Sequence, residues 1–164
     1  VVGKTLGIKE LELEDLKNTL SKLDIDGVIT GAIASRYQAD RIDTVCNELG
    51  IYHYYPLWGA DRERLLEELI QRGMNIIFSS VAAHGLDRSW LGEKIDRNRI
   101  KRLVDLNKKY GLDICGEGGE YETLVIDTPW FSKSIKILEA EKTWDGISGK
   151  YIIRNAALET KETT

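Results

Sequence analysis

Residues 25–56 read IDGVITGAIASRYQADRIDTVCNELGIYHYYP, and the order of patterns in this stretch decides the fold that the sequence predicts. Residues 25–30 form a short apolar run typical of a buried strand, and residues 51–55 form a second run that ends at Pro56. Between the two runs, apolar side chains recur at helical spacing as far as Gly50, which predicts a helix that ends there. A strand, a helix and another strand in this order indicate a parallel sheet covered by helices.

The same alternation continues on both sides of this stretch and then changes. After the fourth helical pattern, strands follow one another with a hairpin turn at residues 144–149. We therefore expect an α/β fold with a smaller, strand-rich C-terminal α+β domain, divided into residues 1–85 and 86–164. The further predicted elements are helices over 11–23, 65–73 and 96–111, a strand of the parallel sheet over 74–81, and strands over 121–126, 135–140 and 151–158.

Composition excludes several classes of protein. The net charge is −4 and the pI is about 5.3, so a broad nucleic-acid-binding surface is not expected. No apolar run approaches the roughly 20 residues that span a bilayer. Cys46 and Cys115 form no CxxC pair, which is typical of reduced thiols in a cytoplasmic protein. Oligomeric state is not readable from the sequence, and a homo-oligomer is compatible with it.

The stretch from Gly116 to Thr123, GEGGEYET, is the strongest candidate for a site. Its glycines allow a close approach of the backbone to a ligand, and its carboxylates would repel one another unless something holds them. On a strand from residue 120, Glu120 and Glu122 would share one face, with Glu117 supplied by the turn. They could hold Mg²⁺ with nucleotide phosphates, accept a cation, or deprotonate a nucleophile.

Three weaker motifs precede this stretch. Residues 31–41 follow a strand at the edge where open α/β sheets bind ligands, and Ser35 could cap the next helix, whose amides attract phosphate. An ordinary strand–loop–helix connection would look the same. Trp58 follows the next strand, and packing is the favoured explanation for it because large aromatic side chains mostly pack. Trp90 lies in a glycine-flanked segment, residues 85–92, which packing explains about as well as ligand contact does.

Taken together and in this order, the four motifs resemble the diphthine–ammonia ligase family, which is also called the N-type ATP pyrophosphatase family. The resemblance covers most of the chain. It implies a Rossmann-like, adenine nucleotide α-hydrolase-like parallel sheet in the first domain. It also implies ATP-dependent amidation of diphthine on elongation factor 2 with ammonia, through an acyl-adenylate and with release of AMP and pyrophosphate. The implied cofactors are ATP and Mg²⁺, without a dedicated protein metal site, and the implied partners include neither nucleic acid nor membrane.

The chain departs from the family pattern at its start. Members begin with a strand and a Ser-Gly-Gly-Lys-Asp-Ser phosphate loop that is absent here, and residues 3–13 look compressed against the pattern. We therefore expect a truncated nucleotide-binding domain, and any activity prediction applies to the intact protein.

The resemblance also assigns roles to residues. Carboxylates Glu117, Glu120 and Glu122 would be catalytic, positioning the trimethylammonium group of diphthine or the ammonia. The nucleotide side would be shaped by Gly31, Ala32, Ser35, Tyr37, Gln38 and Arg41. The substrate side would include Trp58, Gly85, Trp90, Gly116, Gly118, Gly119 and Tyr121, whose aromatic members could make cation–π contacts with the trimethylammonium group.

Two other functions stay open at this point. One is a module of the same fold that binds nucleotide without ligase activity. The other is a metal-dependent hydrolase that uses Glu117 and Glu120 as a carboxylate pair. Turnover without ATP would favour the hydrolase. A hydrolase of this kind would have no role for residues 31–41.

Overall fold

The computed structural model describes residues 9–161, with side chains from residue 12 onward, so most of the compressed segment 3–13 lies outside the described residues. None of the helices in this part of the chain is long and apolar enough to cross a membrane. The chain divides into two compact units, Val1–Ala60 and Asp61–Thr164. In chain order, the elements are α1 Lys9–Leu20, β1 Gly27–Ile29, α2 Arg36–Leu49, β2 Tyr52–Tyr54, α3 Arg62–Gln71, β3 Asn75–Val81, a 3-10 helix Arg88–Trp90, α4 Arg97–Tyr110, β4 Tyr121–Asp127, β5 Lys133–Trp144 and β6 Gly149–Thr160.

The first unit contains the strand–helix–strand pattern that the sequence predicts. Strands β1 and β2 pair in parallel, with Val28 opposite His53. Helix α2 begins after Ser35, whose side chain accepts a hydrogen bond from the N–H of Gln38, and it ends at Gly50 with φ +69°. The predicted cap and the predicted end of this helix are both confirmed.

One expectation for the first unit is wrong: β1 is not a buried strand. Its residue Ile29 is 73% exposed, and Tyr52 and Tyr54 of β2 are 81% and 62% exposed. The parallel register places these three side chains on one face of the sheet. An apolar run predicts a strand but does not reveal whether another layer covers it, so the burial was not readable from residues 25–30.

The second unit is built on an antiparallel sheet of order β4-β3-β6-β5 in the described part of the chain. Strand β3 was expected in the parallel sheet; instead it pairs antiparallel with both β4 and β6. A continuous apolar run such as Ile76–Phe78 fits any central strand that is covered on both faces, whichever way its neighbours run. The run therefore predicted the strand correctly and its partners wrongly.

Helices and turns of the second unit agree with the sequence. The side chain of Asp96 caps α4 and Gly111, at φ +74°, ends it. Strands β5 and β6 form the predicted hairpin, whose turn is held by Asp145, because its carboxylate accepts hydrogen bonds from the N–H groups of Ile147 and Ser148. The core of this unit is centred on Phe78, Val81, Trp90, Leu91 and Leu103, each fully buried.

Candidate functional site

The glycine–glutamate stretch covers the end of the loop between α4 and β4 and the first residues of β4. The carboxylate of Glu120 organises this loop. Its Oε1 atom accepts a hydrogen bond from the N–H of Asp113 at 2.9 Å, and its Oε2 atom accepts one from the N–H of Gly118 at 2.9 Å. Asp113 in turn accepts from the N–H of Cys115 at 2.9 Å. A carboxylate that accepts two backbone N–H groups holds a turn firmly, so Glu120 has a structural task in this loop.

Packing accounts for part of the glycine content. A Cβ atom on Gly116, which has φ +76°, would lie 3.0 Å from the carbonyl oxygen of Tyr121. A Cβ atom on Gly118 would lie 2.7 Å from Oε1 of Glu120. Gly119 also has a positive φ, +83°, but a Cβ atom there would meet no atom within 4 Å. The loop therefore needs glycine for its own closure, and the glycines do not by themselves indicate a ligand.

The three glutamates of this stretch lie in different surroundings. Glu120 precedes β4 and is bound within the loop, whereas Glu122 lies in β4 and is exposed. Atom Oε2 of Glu117 is buried and has no hydrogen-bond partner among the described residues. Within that part of the chain, no three His, Cys, Asp or Glu side chains come together as a metal-ligand set. Of the three, Glu117 is the carboxylate with an unused acceptor in a shielded position.

Side chains that the sequence interpretation did not single out support this loop from α3. The Nε atom of Arg62 lies 2.7 Å from Oδ2 of Asp113, and the thiol of Cys115 donates to the carbonyl oxygen of Arg62 at 3.6 Å. Asp61 caps α3 by accepting from the N–H of Arg64 at 2.8 Å. The position of Asp113, just after a helix end and before the glycines, was the one local signal in the sequence that could have pointed to this support.

Two ionisable groups in the loop are held neutral. Burial, with Asp113 nearby, raises the pKa of Cys115 to about 11, and burial likewise raises the pKa of Tyr121. The phenol of Tyr121 donates to the carbonyl oxygen of Ile114. Neither group is poised to act as a nucleophile or a base near neutral pH, so the thiol beside the motif is a packing residue.

The predicted nucleotide-binding residues surround the loop between β1 and α2 in the first unit. No atom lies within 4 Å of a Cβ built on Gly31, so the backbone there is open to a ligand, and Ala32 beside it is half-buried. The first turn of α2 contains Arg36 and no acidic residue, and Gln38 is exposed. An open backbone next to a capped helix N-terminus without carboxylates is compatible with a phosphate or ribose.

Tyr37 and Arg41 lie one turn apart on α2 and contact each other. The Nη1 atom of Arg41 donates to the hydroxyl of Tyr37 at 2.7 Å, and the guanidinium lies 4.9 Å from the ring centroid. This contact would have to break if Arg41 were to turn toward an anion. Their predicted role in nucleotide binding stays a prediction.

The predicted substrate-binding residues are divided between surface and core. Trp58, in the first unit, is 39% exposed and makes an edge contact with Tyr55. Trp90, in the second unit, is fully buried, with the guanidinium of Arg102 4.4 Å and that of Arg99 4.9 Å from its ring centroid. The cations beside Trp90 are therefore the protein's own, so this packing does not support its predicted contact with a substrate cation.

Gly85 is likewise explained by packing. Its φ is +92°, and a Cβ atom would lie 2.3 Å from Cδ2 of Leu106 and 3.2 Å from the ring of Tyr110. It lets α4 approach the loop after β3. Gly85, Trp90 and the loop from Gly116 to Glu122 belong to the second unit, whereas residues 31–41 and Trp58 belong to the first.

Comparison with known proteins adds an independent finding. The model of the diphthamide synthase N-terminal domain matches residues 1–53, and that of the diphthamide synthase C-terminal domain matches residues 61–158. Similar proteins named diphthine–ammonia ligase include those of Schizosaccharomyces pombe, 44% identical over 79% of this chain and 22% of the relative, and of Homo sapiens, 40% identical over 79% of this chain and 50% of the relative. That of Danio rerio is 42% identical over 80% of this chain and 53% of its own length. The chain thus spans between about a fifth and about a half of the length of these relatives. The two family models, the N-terminal domain followed by the C-terminal domain, cover nearly all of the chain. The chain belongs to the diphthamide synthase family.

Proposed function

We propose that the full-length protein to which this chain belongs is an ATP-dependent, AMP-forming ligase that converts diphthine on elongation factor 2 to diphthamide with ammonia. The observation that carries this proposal is family membership across both domains, together with relatives of 40–44% identity that are named diphthine–ammonia ligase. Because elongation factor 2 works in the cytoplasm, we place the reaction there. Its partners would be the modified factor, ATP and ammonia.

The proposed division of labour follows the two groups of candidate residues. Residues 1–85 would bind nucleotide with a Rossmann-like, adenine nucleotide α-hydrolase-like sheet, and residues 86–164 would bind the modified protein and carry the chemistry. The parallel pairing of β1 and β2 and the open backbone at Gly31 support the first assignment. Residues 61–85 belong to the second structural unit, so the proposed functional boundary would lie inside that unit.

The proposed reaction has two group-transfer steps. An oxygen of the diphthine carboxylate attacks the α-phosphorus of ATP, the bond to the β-phosphate oxygen breaks, and pyrophosphate leaves. The nitrogen of ammonia then attacks the acyl carbon, AMP leaves with the electron pair of the broken C–O bond, and the nitrogen loses a proton to give the amide. The protein has to orient both nucleophiles and accept that proton.

Among the carboxylates proposed as catalytic, Glu117 is the best placed to accept a proton or to hold ammonia. Its buried Oε2 atom is without a partner among the described residues, whereas both oxygens of Glu120 accept hydrogen bonds from the backbone. Glu122 is exposed and could meet the trimethylammonium group of diphthine. Mg²⁺ would take most of its ligands from ATP phosphates and water, as it commonly does.

The alternative is a module of the same fold that binds nucleotide and makes no amide. The test uses the full-length protein with ATP, Mg²⁺, ammonium and elongation factor 2 carrying diphthine, and it follows AMP, pyrophosphate and the mass of the factor. We expect AMP and pyrophosphate in equal amounts, each requiring both ammonium and the modified factor, with a mass change that corresponds to replacing a carboxylate by an amide. Bound ATP without any turnover would favour the binding module.

A further inference from the structure

Three side chains of the first unit form a hydrogen-bonded chain. The Oγ1 atom of Thr30 lies 2.8 Å from Nε2 of His53, and Nδ1 of His53 lies 2.7 Å from Oδ1 of Asp43. The three residues come from the end of β1, from β2 and from α2. The side chain of His53 is 2% exposed and that of Asp43 is 37% exposed, so a buried imidazole links a surface carboxylate to a strand-end hydroxyl.

The direction of the protons in this chain follows from the chemistry of its members. An ionised carboxylate only accepts hydrogen bonds, so the bond to Asp43 requires the proton of His53 to be on Nδ1. In the neutral imidazole, Nε2 is then an acceptor, and the hydroxyl of Thr30 has to donate to it. The single hydroxyl proton of Thr30 is then donated to His53. The oxygen of Thr30 can therefore only accept a hydrogen bond from any further group.

The place of Thr30 in the fold is where a ligand of this sheet would lie. Its N–H donates to the carbonyl oxygen of Tyr54 at 2.9 Å, which fixes it at the carboxyl ends of both parallel strands. Open α/β sheets bind their ligands at this edge. Thr30 is half-buried, and the next residue, Gly31, is open to a ligand on its Cβ side.

We propose that Thr30 is a specificity-determining acceptor for a hydrogen-bond donor of the nucleotide, and that His53 and Asp43 are positioning residues that keep it an acceptor. This inference rests on the proposed function, in which this edge binds ATP. The donor is either a ribose hydroxyl or the exocyclic amino group of adenine, since both present an N–H or O–H. A site whose partly buried acceptor is oriented in advance discriminates against an analogue that lacks the matching donor.

The test measures nucleotide affinity of the full-length protein by calorimetry. The ligands are ATP, 2′-deoxyATP, 3′-deoxyATP and purine riboside triphosphate, which lacks the 6-amino group. Thr30→Val removes the hydroxyl at nearly constant shape, and we expect it to weaken ATP binding by about 3- to 10-fold, the effect of one hydrogen bond. The analogue that lacks the recognised donor should bind with equal affinity to wild type and Thr30→Val. If this is a deoxy analogue, Thr30 accepts from the ribose; if it is purine riboside triphosphate, Thr30 accepts from the base.

Two further variants separate recognition from a purely structural role. Thr30→Ser keeps the hydroxyl and should keep the preference for ATP over that analogue. In Asp43→Asn, the amide can donate to Nδ1, which lets His53 carry its proton on Nε2 and turns Thr30 into a donor toward the ligand. We expect Asp43→Asn to lose the preference, with the change of tautomer visible in the nitrogen chemical shifts of the imidazole.

The outcomes separate this inference from the proposed function. If wild type binds ATP and Thr30→Val weakens ATP and all three analogues by the same factor, the chain is structural and the inference fails. If wild type binds ATP and Thr30→Val changes nothing, it fails as well. If wild type does not bind ATP at all, the proposed function fails and takes the inference with it.

Discussion

Two glutamates of the same loop, Glu117 and Glu120, have opposite surroundings and should respond differently to the same substitution. Glu120→Gln replaces one of two accepting oxygens by an amide nitrogen that faces a backbone N–H. We expect the free energy of unfolding to fall by about 1–3 kcal/mol, because a donor in the loop loses its partner. Urea denaturation of the purified variant measures this loss.

Glu117→Gln is the matched control, since its Oε2 atom has no partner within the described residues. We expect its free energy of unfolding to stay within about 0.5 kcal/mol of wild type. Its rate of amide formation in the full-length protein should fall by about 100-fold or more, the usual effect of removing a general base. Equal losses of stability in the two variants, or a normal rate for Glu117→Gln, would contradict this assignment.

The thiol of Cys115 should make the free energy of unfolding depend on pH. Its pKa is raised from 9.0 to about 11 in the folded chain, so between these values the folded state binds more protons than the unfolded state. The stabilising contribution is therefore complete below about pH 9 and is lost as the pH rises toward about 11. We expect unfolding free energies from pH 8 to 11 to fall more steeply for wild type than for Cys115→Ser, which has no thiol to titrate. Parallel curves would show that the thiol ionises in the folded protein as it does in the unfolded one.

At the scale of elements, the loop between α4 and β4 offers a matched pair of glycines. Gly116 and Gly119 both have positive φ, +76° and +83°, so alanine at either position costs about 1–2 kcal/mol in backbone energy. Only at Gly116 would the added Cβ also press on Tyr121, at 3.0 Å from its carbonyl oxygen. We expect Gly116→Ala to lower the midpoint of thermal unfolding clearly more than Gly119→Ala. Equal midpoints would mean that β4 shifts to make room.

Local patterns predicted the elements better than their partners. Ser35, Gly50, Asp96 and Gly111 act at the helix ends where the sequence places them, because caps and left-handed ends depend on a few neighbouring residues. The residues that pair with β3 lie about 40 to 50 positions further along the chain in β4 and about 70 positions further in β6, and no local period encodes such distant pairing.

The candidate site shows the same division between local and distant information. The crowding of glycine and glutamate located the loop, but whether a carboxylate binds a ligand or its own backbone depends on how the loop closes. The sequence did not predict that Arg62 of α3 contacts the loop, because this contact depends on the fold. The same holds for the hydrogen bonds of His53 to Thr30 and Asp43. Trp90 was a candidate ligand contact by its motif and is a core residue by its burial.

At the scale of the whole molecule, the two units have cores of different size. Within the described residues, the buried apolar side chains of the first unit are Ile33, Ala39, Val45 and Cys46, whereas one continuous cluster from Leu66 to Tyr121 fills the second. Since stability grows with buried apolar area, the first unit of the 164-residue chain should be the weaker one. Tryptophan fluorescence can follow the units separately, because Trp58 lies in the first and the other three tryptophans lie in the second.

This difference leads to a prediction about cooperativity. In the 164-residue chain, Val45→Ala should destabilise the first unit by about 1–2 kcal/mol, and Leu103→Ala should destabilise the second by about 2–5 kcal/mol. We expect guanidinium unfolding, followed by tryptophan fluorescence, to show two transitions. The early transition should report on Trp58 and move to lower guanidinium concentration in Val45→Ala. The later transition should move to lower concentration in Leu103→Ala and should still be seen when Trp58 is replaced by Phe. If each substitution instead moved a single common transition, the units would unfold as one cooperative body, and the energetic division of the chain would not follow its division into compact units.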